Sequence, residues 1–363
     1  MGDEILCKKC ILTSGTPGIE FDADGVCNYC RGHVRMSGAG EAKLREVLER
    51  HKSLKKKYDA MVCISGGRDS AYLLLKMVRD YGMKVLAVNY KNPFTSEQAR
   101  ANLKRAVDLL KVDFVDWEFP RDKHRKATAK TLKVWSHHPS SLLIPLVCAH
   151  CKTTWPGFYK VAREHDISLI LIGSNPLETA SFKKAGLGGA RTYHKLKNVP
   201  NILLKTVREL VKNPRYLVKT SWPMVFKMYF MASHSSPYLR WRYRGIEVIR
   251  LYDYLNWSEK DVLEEITREL GWQKSSEVAS SWRFDCRLDY VRRLMYASTH
   301  GVTELRDLFS KMIREGLLSR EEALERMKTE DVVPVPVAND VLADIGLKLD
   351  DLNLKQVPHD QGT

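Results

Sequence analysis

No apolar run in the sequence approaches the ~20 residues that a bilayer-spanning helix needs. The first ten residues, MGDEILCKKC, also lack the apolar stretch of an export signal. Both absences lead us to expect a cytoplasmic protein without a transmembrane segment. In that compartment the eight cysteines read as ligands or reactive thiols rather than disulfides, and six of them stand in C-x-x-C pairs. Acidic residues are scarce where basic ones crowd. From 181 to 250 the chain has 15 Lys and Arg against two acids, Glu209 and Glu247, within a total formal charge of +15. Lys183, Lys184, Arg191, Lys195 and Lys197 begin this segment, and Arg240, Arg242 and Arg244 close it, interleaved with Trp241 and Tyr243. Such a field attracts polyanions, and a solvated basic face is the plain alternative. No internal repeat is present beyond paired cysteine knuckles.

What is present centres on YDAMVCISGGRDSAYLLL, residues 58–75. An apolar run ends in Ser65, Gly66, Gly67, Arg68, Asp69 and Ser70, and a helical pattern starts at once. A strand, a glycine turn and a helix N-terminus in succession point free N–H groups and a positive dipole end at one spot, which suits a phosphate. The glycines let backbone approach the anion, the serines add hydroxyls, and Asp69 can hold a magnesium ion. A plain turn followed by a plain helix cap is the competing reading. The pattern is not that of the Walker loop, because no Gly-Lys-Ser/Thr follows. On its strand–loop–helix setting, SGGRDS resembles the PP-loop ATP pyrophosphatases. That resemblance implies an adenine nucleotide alpha hydrolase-like fold, ATP cut between its α and β phosphates, and AMP placed on a substrate oxygen.

The chain divides into residues 1–38, 39–57, 58–180, 181–245, 246–337 and 338–363. The first holds C-x2-C-x16-C-x2-C, formed by Cys7, Cys10, Cys27 and Cys30, the spacing of a four-thiolate zinc ribbon. An iron site or reducible thiols are the other readings. Residues 39–57 read as a charged helical linker. Strands are expected at 58–64, 84–90, 113–118 and 167–172, with helices at 70–81, 96–110, 122–135 and 153–165. This alternation predicts an α/β fold, a doubly wound parallel sheet covered on both faces. Ligands in such sheets sit outside the strands' carboxyl ends, so Ser65, Asn89 and Ser174 should face one crevice. The PP-loop resemblance places 88–90 near adenine; a buried strand is the other reading of Asn89.

Residues 181–245 form a basic insert, the expected substrate region, with helices at 202–211 and 224–231. Its aromatics Trp222, Phe226, Tyr229 and Phe230 pack as a helix face or line a cleft. The C-terminal part reads as mainly helical: a strand at 245–255, helix 259–270 stopped by Gly271, then a hairpin of 302–315 and a helix capped by Ser319 and Glu322. Residues 338–363 read as a tail, partly ordered.

A second cysteine set is Cys148 and Cys151, with Cys286 far downstream. Three thiolates can hold a [4Fe-4S] cluster with one iron free, or form a labile disulfide plus an acceptor. A plain redox or zinc pair, and a buried Cys286, are the bland readings. His150 reads as solvent-facing and Cys63 as core. This set is similar to that of the iron–sulfur-dependent tRNA thiolation enzymes of the PP-loop superfamily. Gly173, Asn175 and Glu178 match, in outline, their second signature, which implies a magnesium ligand or catalytic acid at Glu178. A helix-start carboxylate is its alternative.

The two ends of the chain, around Cys27–Cys30 and IREGLLSREEALERM, resemble instead the bacterial N-acetyl sugar amidotransferases. Taken together, the resemblances imply ATP, Mg2+, Zn2+ and a [4Fe-4S] cluster as cofactors, with Cys148, Cys151, Cys286, Asp69 and Glu178 catalytic. They imply an anionic substrate, tRNA or a nucleotide-linked or small molecule, and a sulfur donor. If ammonia is the nucleophile, a separate glutaminase is implied, because no glutaminase signature is evident. A non-catalytic RNA-binding protein is the third reading, and a homo-oligomer is expected.

Overall fold

Alternating apolar residues in three of the strands drive opposite faces of one sheet into two cores. The computed structural model describes residues 5–178, 199–216, 227, 231, 233–332 and 335–354. Strands β1 (Ala60–Cys63), β2 (Val85–Tyr90), β3 (Asp113–Trp117), β4 (Leu169–Ile172) and β5 (Glu247–Arg250) form one sheet in the order β3-β2-β1-β4-β5. All four pairings are parallel, with Val62 beside both Ala87 and Leu171. Ala60, Val62, Val85, Ala87, Leu169 and Leu171 enter one core, and Met61, Leu86, Val88 and Ile170 the other. Period-two burial on both faces is what a doubly wound sheet requires.

Helices α1 (Glu41–His51), α2 (Arg68–Arg79), α3 (Glu97–Leu110), α4 (Lys123–Ser136) and α5 (Trp155–Glu164) connect or cover the strands. After α6 (Val199–Lys212) come α7 (Glu259–Leu270), α8 (Leu288–His300), α9 (Glu304–Glu315), α10 (Arg320–Glu330) and α11 (Val335–Ala343). Serine and threonine set the starts: the side chains of Ser96, Ser258, Thr303 and Ser319 each accept from the N–H three residues on.

Four expectations change. The strand expected at 245–255 stops at Arg250, because the chain turns through Leu251–Asp253 and swings Tyr252 and Trp257 over the glycine loop. Helix α8 was not among the expected elements; it is buried nearly all round, with Asp289, Arg292 and Arg293 inside beside Leu288, Tyr290, Val291, Leu294, Met295 and Tyr296. Residues 338–354 are packed rather than a loose tail; Val337, Ala338, Val341, Leu342, Leu347 and Leu352 fill a core with α4 and α8. Cys63 is only partly buried and opens into a cavity. Lys183, Lys184, Arg191, Lys195, Lys197, Trp222, Phe226, Tyr229 and Phe230 lie outside the described residues, as does most of the helix expected at 224–231.

Candidate functional site

The sheet reverses direction of growth between β1 and β4, and a cavity of about 500 Å³ opens at the carboxyl ends of those strands. Ser65, Asn89 and Ser174 all line it, as the strand order demands. The glycine loop forms one wall. Gly66 has φ +83°, and a Cβ there would lie 1.9 Å from the Ala99 carbonyl oxygen of α3, so this position is closed to every side chain. Gly67 caps α2, and a Cβ on Gly173 would meet the Asp69 carbonyl at 2.5 Å. The Ser70 hydroxyl takes a hydrogen bond from the Ser65 N–H at 3.2 Å and donates to the Gly67 carbonyl at 3.0 Å. Trp272 Nε1 donates to the Gly66 carbonyl at 3.1 Å from below. The result is a rigid turn that aims the first amides of α2 into the cavity.

Arg68 is turned inward. Its guanidinium pairs with Glu259, donates to the Ser281 hydroxyl at 2.8 Å, and stacks over Trp257 at 5.1 Å. Its Nη2 has no hydrogen-bond partner and stands 4.0 Å from Glu178. Asp69 accepts from Trp257 Nε1 at 2.7 Å and from the Tyr252 hydroxyl at 3.1 Å, while burial raises its pKa against the pull of Arg68. Glu178 is pushed up to about 7, first by burial and then by Asp69, with Arg283 and Arg68 opposing. Asp285 also lines the cavity and hydrogen-bonds Ser65; burial raises it too. Three reluctant carboxylates around an anion-binding turn are the environment a cation relieves. Among the described residues they do not meet the spacing of a single-ion cluster. Asn175 is buried at the rear, where its Oδ1 accepts from the Leu177 N–H at 2.9 Å. Asn89 donates from Nδ2 to Asp116 at 2.8 Å.

Cys148, Cys151 and Cys286 line the opposite wall of the same cavity. The first two sit at the start and within the short helix Ala149–Lys152. The third arrives because the segment after β2 pairs with the segment before α8. Thr95 bridges Cys286, the Ser96 N–H donates to the Asp285 carbonyl at 3.2 Å, and the Arg287 N–H to Phe94 at 2.8 Å. Asn92 Nδ2 donates to Cys286 Sγ at 3.3 Å, and Cys151 Sγ lies 3.7 Å from His124 Nε2. Burial pushes the Cys286 thiol up to about 12 and that of Cys151 upward, with neighbouring thiols adding repulsion. Lys152, Arg283 and Arg292 also line this wall, and burial holds the Lys152 ammonium below its ordinary range. His150 is not solvent-facing as expected; it stacks on His124 with ring centres 5.4 Å apart. Buried thiols beside three cations fit a group that neutralises thiolates. Among the described residues these three cysteines do not form a tight single-ion cluster.

At the N-terminus, Cys7, Cys10, Cys27 and Cys30 are all buried, with their sulfurs within 4.8 Å of one another. The Cys7 sulfur accepts from the N–H groups of Lys9 and Cys27, and that of Cys10 from Leu12, the backbone pattern of two facing knuckles. Hydrogen bonds from Cys27 and Cys30 pull Cys10 down while their own thiols are pushed up, and a cation placed between the four sulfurs would relieve that crowding. The module docks on the C-terminal hairpin: Arg320 donates to the carbonyls of Cys10 and Cys7, and His33 pairs with Glu315 at 2.8 Å.

Sequence reasoning missed Asp285, Lys152, His124 and Tyr252. Asp285 and Lys152 adjoin cysteines already singled out; His124 and Tyr252 carry no local signal, because each reaches the site only through the fold.

No family model matches the chain, and no curated protein matches it. Among solved structures it is similar to an NMN synthetase from Francisella tularensis, at 12% identity and TM-score 0.36, over 88% of this chain and 96% of that one. It is also similar to the U34-tRNA thiolase NcsA from Methanococcus maripaludis with its [4Fe-4S] cluster, at 12% identity and TM-score 0.32, over 97% of each chain.

Proposed function

We propose that the protein is an ATP-dependent PP-loop enzyme that adenylates a carbonyl or carboxylate oxygen and then replaces AMP with sulfur. One observation carries this reading: the glycine turn and the three thiols line a single cavity. Neither wall explains the other on structural grounds alone.

The glycine turn, Ser65 and Ser70 take the triphosphate, held by the amides at the head of α2. Asp69, Glu178 and Asp285 supply the carboxylates that would face a Mg2+ ion arriving with the phosphates, and such an ion when bound would lower the barrier to pyrophosphate departure. A substrate oxygen attacks the α-phosphorus, the bond to the β-phosphate oxygen breaks, and pyrophosphate carries the electron pair away. Sulfide equivalents from an external donor then attack the activated carbon, and AMP leaves with the oxygen. Cys148, Cys151 and Cys286 would hold a [4Fe-4S] cluster, which when bound supplies an iron able to ligate sulfide. The chain's own contribution there is orientation: Asn92 donates to Cys286, and His124 stands against Cys151. Cys7, Cys10, Cys27 and Cys30 hold Zn2+ as a structural ion.

Anaerobic purification followed by iron, acid-labile sulfide and zinc analysis tests the reading. Brown protein with about four irons beside one zinc is the expected result. Colourless protein with zinc alone sinks the sulfur chemistry; if such protein still releases pyrophosphate when ammonia is supplied, the sugar amidotransferase resemblance takes its place.

A further inference from the structure

A second cavity, of about 380 Å³, adjoins the first at Tyr90, which lines both. Four cations line it, Lys91, Arg100, Arg121 and Arg125, against two acids, Glu118 and Asp122. The cations are poorly spent on internal contacts. Among the described residues the Arg100 side chain donates to the Asn92 carbonyl, at 3.3 Å, and the Lys91–Glu118 and Arg125–Asp122 pairs stand at 3.9 and 3.6 Å. Arg125 Nε is buried without a hydrogen-bond partner. Among the described residues Arg121 meets no carboxylate within ion-pair distance. Its backbone is held at φ +58°, followed by Asp122 at +56°, two successive non-glycine residues in the left-handed region at the head of α4. Such conformations persist where surroundings enforce them, commonly at ligand clamps. Tyr90 and Phe119 supply an aromatic wall.

We propose that this cavity binds a phosphate group of the substrate, anchoring it so that the reacting oxygen reaches the neighbouring ATP cavity past Tyr90. The inference rests on the adenylation reading and gives its anionic substrate a place that the basic 181–250 segment does not specify. A phosphate's negative oxygens match guanidinium forks better than a carboxylate-lined alternative, because the cations outnumber the acids two to one. The phosphate belongs either to an RNA backbone or to a nucleotide-linked small molecule, and the test separates these.

Wild type, R121A/R125A and R121K/R125K are titrated with uridine diphosphate, with a twelve-nucleotide single-stranded RNA, and with ATP. The expected result is a loss of roughly tenfold or more in the affinity of at least one phosphate probe on alanine substitution, at unchanged ATP affinity, with lysine restoring only the part that charge alone supplies. Loss for RNA alone, with its salt slope reduced by about one or two, assigns the nucleic-acid backbone; loss for uridine diphosphate alone assigns the nucleotide-linked source. Should R121A/R125A lose its melting transition, K91A/R100A on the opposite rim gives the same readings. Failure of wild type to bind either probe, unchanged affinity in the variants, or an equal fall in ATP affinity overturns the proposal. Pyrophosphate release, measured separately, reports on the adenylation reading by itself.

Discussion

Glu178 offers a test in which stability and function move in opposite directions. Its carboxyl is raised from 4.5 to about 7, because burial beside Asp69 disfavours the charge more than Arg283 and Arg68 favour it. Between those two values the unfolded chain has released this proton and the folded chain has kept it. Stability therefore falls as pH rises through that window, the opposite of the usual salt-bridged carboxylate. Full burial would make the effect roughly 3 kcal/mol; a side chain 23% exposed brings the expectation to ~1–2 kcal/mol, a few degrees in melting temperature. Glu178→Gln removes the titration. In the ligand-free protein the variant should melt with wild type at pH 5 and a few degrees above it at pH 8, while pyrophosphate release falls a hundredfold or so if the carboxylate holds the metal. Added Mg2+ with ATP should raise the wild-type melting temperature at pH 8 more than that of the variant. Calorimetry across this range is decisive. A variant equal to or less stable than wild type at pH 8 would refute the claim that this carboxylate is held against its preference.

Gly66→Ala should destabilise by ~2–4 kcal/mol, from the left-handed backbone and the Ala99 contact together, and should abolish ATP binding measured by calorimetry on the protein that remains folded. Glu259→Gln leaves Arg68 buried with one full partner fewer and should lower stability by about 3 kcal/mol in denaturant melts, unless Arg68 is also replaced by Met. Removing the N-terminal metal with a strong chelator should expose sites in residues 5–38 to protease and lower the melting temperature, because the module's carbonyls hold Arg320. Cys286→Ala should empty the protein of iron under anaerobic conditions while leaving ATP affinity within about twofold, since the glycine turn is built without it.

The sheet was legible because β1, β2 and β4 bury both faces, so their apolar runs stand out against the charged helices between them. Ser319 announced a helix start through a hydrogen bond that depends on residues three apart. What escaped reading was set at long range. Helix α8 buries charged Asp289, Arg292 and Arg293 along with its apolar residues, and most of Pro-containing α11 was read as tail because only its packing against α8 shows why it folds. The cavity's thiol wall was half visible: C-x-x-C is local, but Cys286 is delivered by a bridge to Thr95 across 191 positions of chain. Arg68 stands in the loop expected to bind the nucleotide, yet its guanidinium is committed to Glu259, a partner no local pattern names.

That commitment connects the four-cysteine module at one end of the chain to a loop near its centre. Arg68 pairs with Glu259, and Glu259 pairs in turn with Arg326 at 2.9 Å, which is clamped by Glu330 at 2.6 Å on the same helix α10. Arg320, one turn and a half earlier on α10, holds the carbonyls of Cys7 and Cys10. The glycine turn, helix α10 and the four-cysteine knuckles are thus linked through successive charged contacts, each buried or half-buried. If a metal joins the knuckles, its removal should loosen Arg320 and, through α10, the contacts of Arg326. The first measurable consequence should be faster amide exchange at the start of α2, before any loss of the sheet, because the strands are held by the two apolar cores and do not depend on this chain of charges.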